Sequence, residues 1–280
     1  MNEEQLFAFD TWGFLVVEDA ISPEQVAELK AGAAEKGPSL HSQHARDGGF
    51  WSQAYFDLLD PPALVPMLDL IYGGTPGSAS DSDRAPYRID HINVHTHGVF
   101  NKNFAGGTIH GGNGWLRDPT RPHELVTHFF ERNAENDTYR NGLVTVVYEL
   151  EDTVCNGGGF GCLAGSHKTH LPVPEGWRDL SKGVHPMVTS VPASAGSAII
   201  FTEALQHVTL PWTVSSARTT LFYKYTTQGE AYSGADNLFD PSDADGWEGV
   251  DERKHSILMP PSAAYVERRK ALAEAERAAR

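Results

Sequence analysis

Cysteine is nearly absent from this chain: Cys155 and Cys162 are the only two in 280 residues, and their Gly-rich surroundings lack the paired spacing of a zinc site. Both are expected to be reduced packing thiols rather than a cross-link. Positive charge is also scarce, with 22 Lys and Arg against 37 Asp and Glu and a formal net charge of −15. Binding to a nucleic-acid polymer, which requires cations to neutralise phosphates, is disfavoured, whereas a small anion held by a few local cations is not. No run approaches the roughly 18 apolar residues that a membrane span needs, and Met1-Asn2-Glu3-Glu4 lacks the basic and apolar regions of a secretory signal. A cytoplasmic location, with no membrane association, is the expectation.

What is present is ordinary for a globular protein: 40% hydrophobic and 21% charged residues, with the 27 Gly and 17 Pro spread along the chain. One domain over 1–280 is expected, mainly helical over 1–85, strand-rich over 86–230, and ending in a helix over 261–280. Ser22-Pro23-Glu24-Gln25 predicts a helix start, with Ser22 as cap, Pro23 at the first helical position and Gln25 closing a capping box. Val26, Leu29 and Ala33 give that helix an apolar face, and Gly37 ends it. Gly13–Val17 is a β-rich run before it, and a second helix is predicted from Pro62 to Tyr72, followed by a surface loop from Thr75 to Ala85. Strand periodicity then takes over at Tyr87–Val94, Leu143–Leu150, Ser197–Phe201 and Thr219–Tyr225. Helices first and strands later imply an α+β fold around an antiparallel sandwich.

Three pieces at strand edges carry chemistry: Ile109-His110-Gly111-Gly112, Thr202-Glu203-Ala204-Leu205-Gln206-His207, and Arg218. Two neutral imidazoles suit a ferrous ion and leave positions open for a cosubstrate and oxygen. Arg218 stands eleven residues beyond His207 at the start of the next strand, where a returning antiparallel strand would set it near the histidine. Its planar fork matches a carboxylate. Asn93 and His95 share a face with His91, where they would meet cosubstrate or substrate, and His95-Thr96-His97 is a lesser alternative metal pair.

These pieces resemble the phytanoyl-CoA dioxygenase family of iron and 2-oxoglutarate oxygenases. Phe9–Val17 followed by Ile21–Gln25 is similar to that family's opening, and Gly157–Phe160 through Ala164-Gly165-Ser166-His167-Lys168 to its central Gly-rich segment, with Ala164 where Pro is usual. The His207 to Arg218 interval matches its distal histidine and cosubstrate-binding arginine. The resemblance implies a double-stranded β-helix (jelly roll, cupin-like) with flanking α-helices. It also implies Fe(II) on His110 and His207, 2-oxoglutarate on Arg218, oxygen as cosubstrate, and a small-molecule substrate. His167 reads as part of a structural turn beside the site.

The family's proximal motif is His-x-Asp or His-x-Glu, whereas this chain has His110-Gly111-Gly112, and none of its 13 histidines has an acid two places on. A first shell short of one carboxylate has one negative charge fewer and an open position beside Gly112. Chloride fits both, as in the halogenases that resemble this family, so chlorination of an unactivated C–H bond in a free small molecule is the expectation. The alternatives are a hydroxylase whose acid comes from Asp118 or Glu149 or is replaced by water, and a non-catalytic binding protein. The Gly-rich segment from His95 to Arg121 reads as a lid. Arg88, Lys102, Arg117 and Arg121 would meet the phosphate of a nucleotide substrate if they converged, and Trp115, Phe129 and Trp212 are candidates for stacking or for the core.

Overall fold

A computed structural model describes residues 1–36, 43–44, 50–73, 83–97, 106–112, 114–117, 125–135, 138–155, 157–169, 171–232 and 238–261. The helices are α1 (Glu3–Trp12), α2 (Pro23–Lys36), α3 (Gln53–Asp57), α4 (Val65–Ile71), α5 (Glu175–Arg178) and α6 (Glu252–Leu258). The strands are β1 (Phe14–Val17), β2 (Gln43–His44), β3 (Tyr87–His97), β4 (Gly114–Arg117), β5 (Leu125–His128), β6 (Phe130–Asn133), β7 (Thr138–Asn141) and β8 (Val144–Glu149), then β9 (Gly159–Cys162), β10 (Thr189–Val191), β11 (Ala198–Thr202), β12 (His207–Leu210) and β13 (Arg218–Thr227). Among the described residues no helix is long and apolar enough to cross a membrane.

Six strands form one antiparallel sheet in the order β1, β11, β8, β13, β3, β2, and three form a second in the order β10, β9, β12. The arrangement is the expected jelly roll with helices outside. Alternation explains how one sheet serves two cores. On β8 and β13, Val144, Val146, Tyr148, Leu221, Tyr223 and Tyr225 pack under the helical layer. Val147 and Phe222 instead join Phe160, Cys162, Ile199 and Phe201 between the two sheets. In β3 the alternation slips once: Lys224 pairs with His91 and Tyr225 with Ile89, so Asp90 is bulged out. The bulge keeps Ile89, Ile92 and Val94 in the helical core. It leaves His91, Asn93, His95 and His97 opposite the inward residues Lys224, Phe222, Thr220 and Arg218.

Tyrosines tie the helices to the large sheet. Tyr223 donates to Tyr55 O at 2.6 Å, and Tyr225 donates to Leu58 O and Leu59 O at 3.1 and 3.0 Å, supplying partners for carbonyls at the end of α3. The α2 start follows its sequence signature, with Gln25 N donating to Ser22 Oγ at 3.3 Å and Ser22 N to Gln25 Oε1 at 3.0 Å. The helix expected from Pro62 is shorter, beginning at Val65. Helix α1 begins earlier than any helix the sequence predicted, on a capping box between Asn2 and Gln5. The tail from Ser262, most of the loop from Thr75, and the candidates Lys102, Asp118 and Arg121 lie outside the described residues, as do the side chains of Trp115 and Arg117.

Candidate functional site

The segment carrying His110 joins the small sheet as an extra edge. His110 N donates to His207 O at 3.0 Å and His207 N to His110 O at 2.9 Å, while Gly107 N donates to Thr209 O at 2.8 Å. Such a hydrogen-bonded antiparallel pair puts both side chains on the same face, and the two imidazole centroids are 4.3 Å apart. Gly111 makes the approach possible. A Cβ there would lie 2.8 Å from Glu203 O and 3.0 Å from His207 Nδ1, and closer still to Leu205 O, and its φ is +83°.

Each ring is oriented by a backbone carbonyl. His110 Nδ1 lies 2.9 Å from Thr108 O, and His207 Nδ1 lies 2.7 Å from Leu205 O. A carbonyl only accepts, so each Nδ1 carries the proton and each Nε2 keeps its lone pair for a metal. His207 is buried against Phe160 and Phe201, and His110 is exposed. Burial, together with neighbouring His110, pushes the His207 pKa down to about 3, so its imidazole is neutral near pH 7. The donor set therefore fits a divalent transition ion at this pair.

Arg218 is fully buried on the inward face of the large sheet. Its Nε donates to Glu149 Oε2 at 2.8 Å and its Nη2 to Glu149 Oε1, while Thr220 Oγ1 adds a bond to Glu149 Oε2 at 2.8 Å. Among the described residues Nη1 has no hydrogen-bond partner, and it is the nitrogen an incoming carboxylate would take. Glu149, a sequence candidate for the absent metal acid, is thus committed to the arginine instead. Its register opposite Thr220 on β13 is the reason. His97 pairs with Arg218 across β3 and β13, and His95 pairs with Thr220. Burial, with His97 and Arg218 nearby, lowers the His95 pKa to about 3, and burial with Arg218 lowers that of His97 to about 4. The His95 and His97 rings are 6.0 Å apart beside the arginine. Asn93 Oδ1 on the same strand has no hydrogen-bond partner among the described residues. An acceptor there suits a substrate hydroxyl, and the opposite amide orientation suits a carboxylate.

Glu203 and His128 had no role assigned from the sequence. Glu203 sits on the turn between β11 and β12, closed by Leu205 N donating to Thr202 O at 2.9 Å. Its Oε1 accepts from Thr145 Oγ1 at 2.5 Å and from Lys224 Nζ at 2.8 Å, and its Oε2 lies 3.5 Å from His207 Nε2. Burial opposes its ionisation, but the Lys224 ammonium beside it outweighs that and holds its carboxyl well below the usual range. His128 stacks on Tyr232 with ring centroids 5.6 Å apart, and its Nδ1 has no hydrogen-bond partner among the described residues. Among the described residues no three His, Cys, Asp or Glu side chains already enclose a point where an ion would sit.

The remaining candidates fall elsewhere. Gly112 is buried at φ +121°, its N–H on Glu203 O at 3.3 Å, and a Cβ there would have its nearest neighbours in Gln206, at 3.5 Å. His167 Nε2 lies 3.0 Å from Asp10 O, beneath Gly13 where α1 ends, as a structural turn requires. Arg88 is a correction to the phosphate-binding group. It is buried, with Nε on Met259 O at 2.9 Å and Nη1 on Asp90 at 3.3 Å. Trp212 is core, its Nε1 on Ser216 O at 2.8 Å, whereas Phe129 is half-buried under Arg140, 5.9 Å from its ring. The cysteines divide: Cys162 packs between the sheets, but Cys155 is an exposed free thiol because it lies in the turn leading to Gly157.

No protein-family model and no curated protein matches the chain. Solved structures do. HygX from Streptomyces hygroscopicus with nickel and 2-oxoglutarate bound superposes with a TM-score of 0.65 at 20% identity, over 90% of this chain and 96% of its own. The HygX complex with nickel, 2-oxoglutarate and hygromycin B gives 0.64 at 20% identity, over 90% and 97%. SnoK, the non-haem alpha-ketoglutarate-dependent carbocyclase from nogalamycin biosynthesis, gives 0.54 at 15% identity, over 82% and 85%. At these identities the likeness establishes a shared fold.

Proposed function

We propose that this protein is an Fe(II)- and 2-oxoglutarate-dependent oxygenase that oxidises a C–H bond of a small molecule. The observation that carries the reading is the pairing of two carbonyl-oriented imidazoles, His110 and His207, with a buried guanidinium, Arg218, whose Nη1 has no hydrogen-bond partner among the described residues. Ferrous iron with 2-oxoglutarate and oxygen supplies the power to break an unactivated C–H bond as 2-oxoglutarate becomes succinate and carbon dioxide. The chain's own part is positional. His110 and His207 hold the ion through Nε2, and Arg218 Nη1 grips the far carboxylate of 2-oxoglutarate while Glu149 keeps the fork rigid. Asn93 offers a polar contact on the same face. Burial of His207 and Arg218 excludes water, and the exposed side of His110 leaves a route for substrate. The neighbours whose structures hold 2-oxoglutarate or hygromycin B, or act in nogalamycin biosynthesis, support a natural-product substrate over a macromolecule.

Halogenation is the second reading, favoured by Gly112, which contributes no carboxylate where the resembling family has one. It requires an open position for chloride on the metal. Glu203 Oε2 at 3.5 Å from His207 Nε2 weighs against that and toward oxygen transfer. The test is oxygen-dependent succinate formation with Fe(II) present, screened over glycosylated and polycyclic small molecules, with product masses measured with and without chloride. Oxygen gain independent of chloride supports the first reading, chlorine gain the second, and absence of succinate under all conditions rejects both.

A further inference from the structure

We propose that Glu203 supplies the carboxylate ligand of the metal centre, from a position four residues before the distal histidine rather than two residues after the proximal one. The assignment rests on the iron and 2-oxoglutarate reading above. The two oxygens of Glu203 are used differently. Oε1 is fixed by Thr145 at 2.5 Å and Lys224 at 2.8 Å, whereas Oε2 has as its neighbour the metal-facing nitrogen of His207 at 3.5 Å. First-row divalent ions take imidazole nitrogen and carboxylate oxygen at about 2.0–2.2 Å, so two such ligands on one ion stand at most about 4.4 Å apart. A 3.5 Å separation lies inside that limit. As they stand the three side chains do not enclose an ion, and the assignment requires the Glu203 side chain to rotate so that Oε2 meets the ion shared by His110 and His207.

The surroundings fit a ligand better than a structural acid. Glu203 is 3% exposed, and its backbone carbonyl also receives Gly112 N–H at 3.3 Å, so the turn bearing the acid and the segment bearing His110 are one unit. Gly112 has no side chain, and a Cβ there would have its nearest neighbours in Gln206. The acid missing from one strand edge is thereby replaced from the adjoining turn. Lys224 lies on the far oxygen, where it neutralises the carboxylate when no metal is present and steadies it when one is.

The test is anaerobic calorimetric titration of the full chain with Fe(II) in chloride-free buffer containing 2-oxoglutarate. It compares the wild type, Glu203→Gln, the double variant Glu203→Gln/Lys224→Gln, and His207→Ala. The double variant removes both charges of the ion pair together, so it remains informative if Glu203→Gln alone does not fold. Binding of one Fe(II) by the wild type, weakened at least tenfold in the Glu203 variants and lost in His207→Ala, is the expected result, since even outer-shell partners act on that scale. Equal binding by the Glu203 variants with loss in His207→Ala overturns the assignment and leaves the iron reading standing, as does chloride tightening the wild-type affinity. Failure of the wild type to bind Fe(II), or undiminished binding by His207→Ala, overturns the iron reading itself.

Discussion

Arg218 and Glu149 are locked together across neighbouring strands by two hydrogen bonds, and the guanidinium nitrogen that this lock leaves over is Nη1. A guanidinium nitrogen left unspent on a rigid fork is a preorganised carboxylate anchor. Arg218→Ala is therefore expected to weaken 2-oxoglutarate binding by about 100-fold or more, roughly the 3 kcal/mol upper range of a charge-assisted bond. It should also lower stability by about 3–5 kcal/mol, because Glu149 is left buried and unpaired. Equilibrium binding of 2-oxoglutarate and urea unfolding separate the two effects. Arg218→Ala/Glu149→Gln should recover most of the stability and none of the affinity.

Acid should destabilise the metal-free protein early. His95 and His97 have folded pKa values near 3 and 4 and an ordinary value of 6.5. Between those limits the unfolded chain binds more protons than the folded one, so the stability of the neutral pair is fully present above about pH 6.5. It is lost as pH falls from 6.5 toward 4. Thermal midpoints measured over pH 4–8 should fall on the acid side, and His97→Gln should flatten that slope. A midpoint unchanged between pH 7 and 4.5 in the wild type would contradict the burial of these rings.

Adjacent glycines should respond differently. Gly111→Ala drives a methyl into Glu203 O and His207 Nδ1, breaking the contact that pairs the two imidazoles, so loss of metal binding is expected. Gly112→Ala meets only Gln206 at 3.5 Å and bears the strain of its positive φ, about 1–3 kcal/mol. It should fold less stably but still bind Fe(II). Parallel metal titrations of the two variants check this contrast.

The second half of the fold was legible because alternation is a strong signal: Tyr87–Val94 and Thr219–Tyr225 lie within β3 and β13. The bulge at Asp90 was not, since nothing in the local pattern marks a one-residue register shift. Helix α1 escaped notice because Phe9 is its one buried residue, too few to set up a helical period. At the site, the resemblance singled out His110, His207 and Arg218, and the structure sets the first two side by side. Glu203 was not legible, because its reach to His207 depends on the turn at Thr202–Leu205 and on Lys224 arriving from another strand. Glu149 had the right chemistry for a metal acid, but its cross-strand partner decides its role, and that is a matter of register.

Anomalous diffraction from crystals grown anaerobically with Fe(II) and 2-oxoglutarate tests the account most directly. It predicts one iron peak within about 2.2 Å of Nε2 of both His110 and His207. Iron seated instead between His95 and His97, or no iron at His110 and His207, would contradict it.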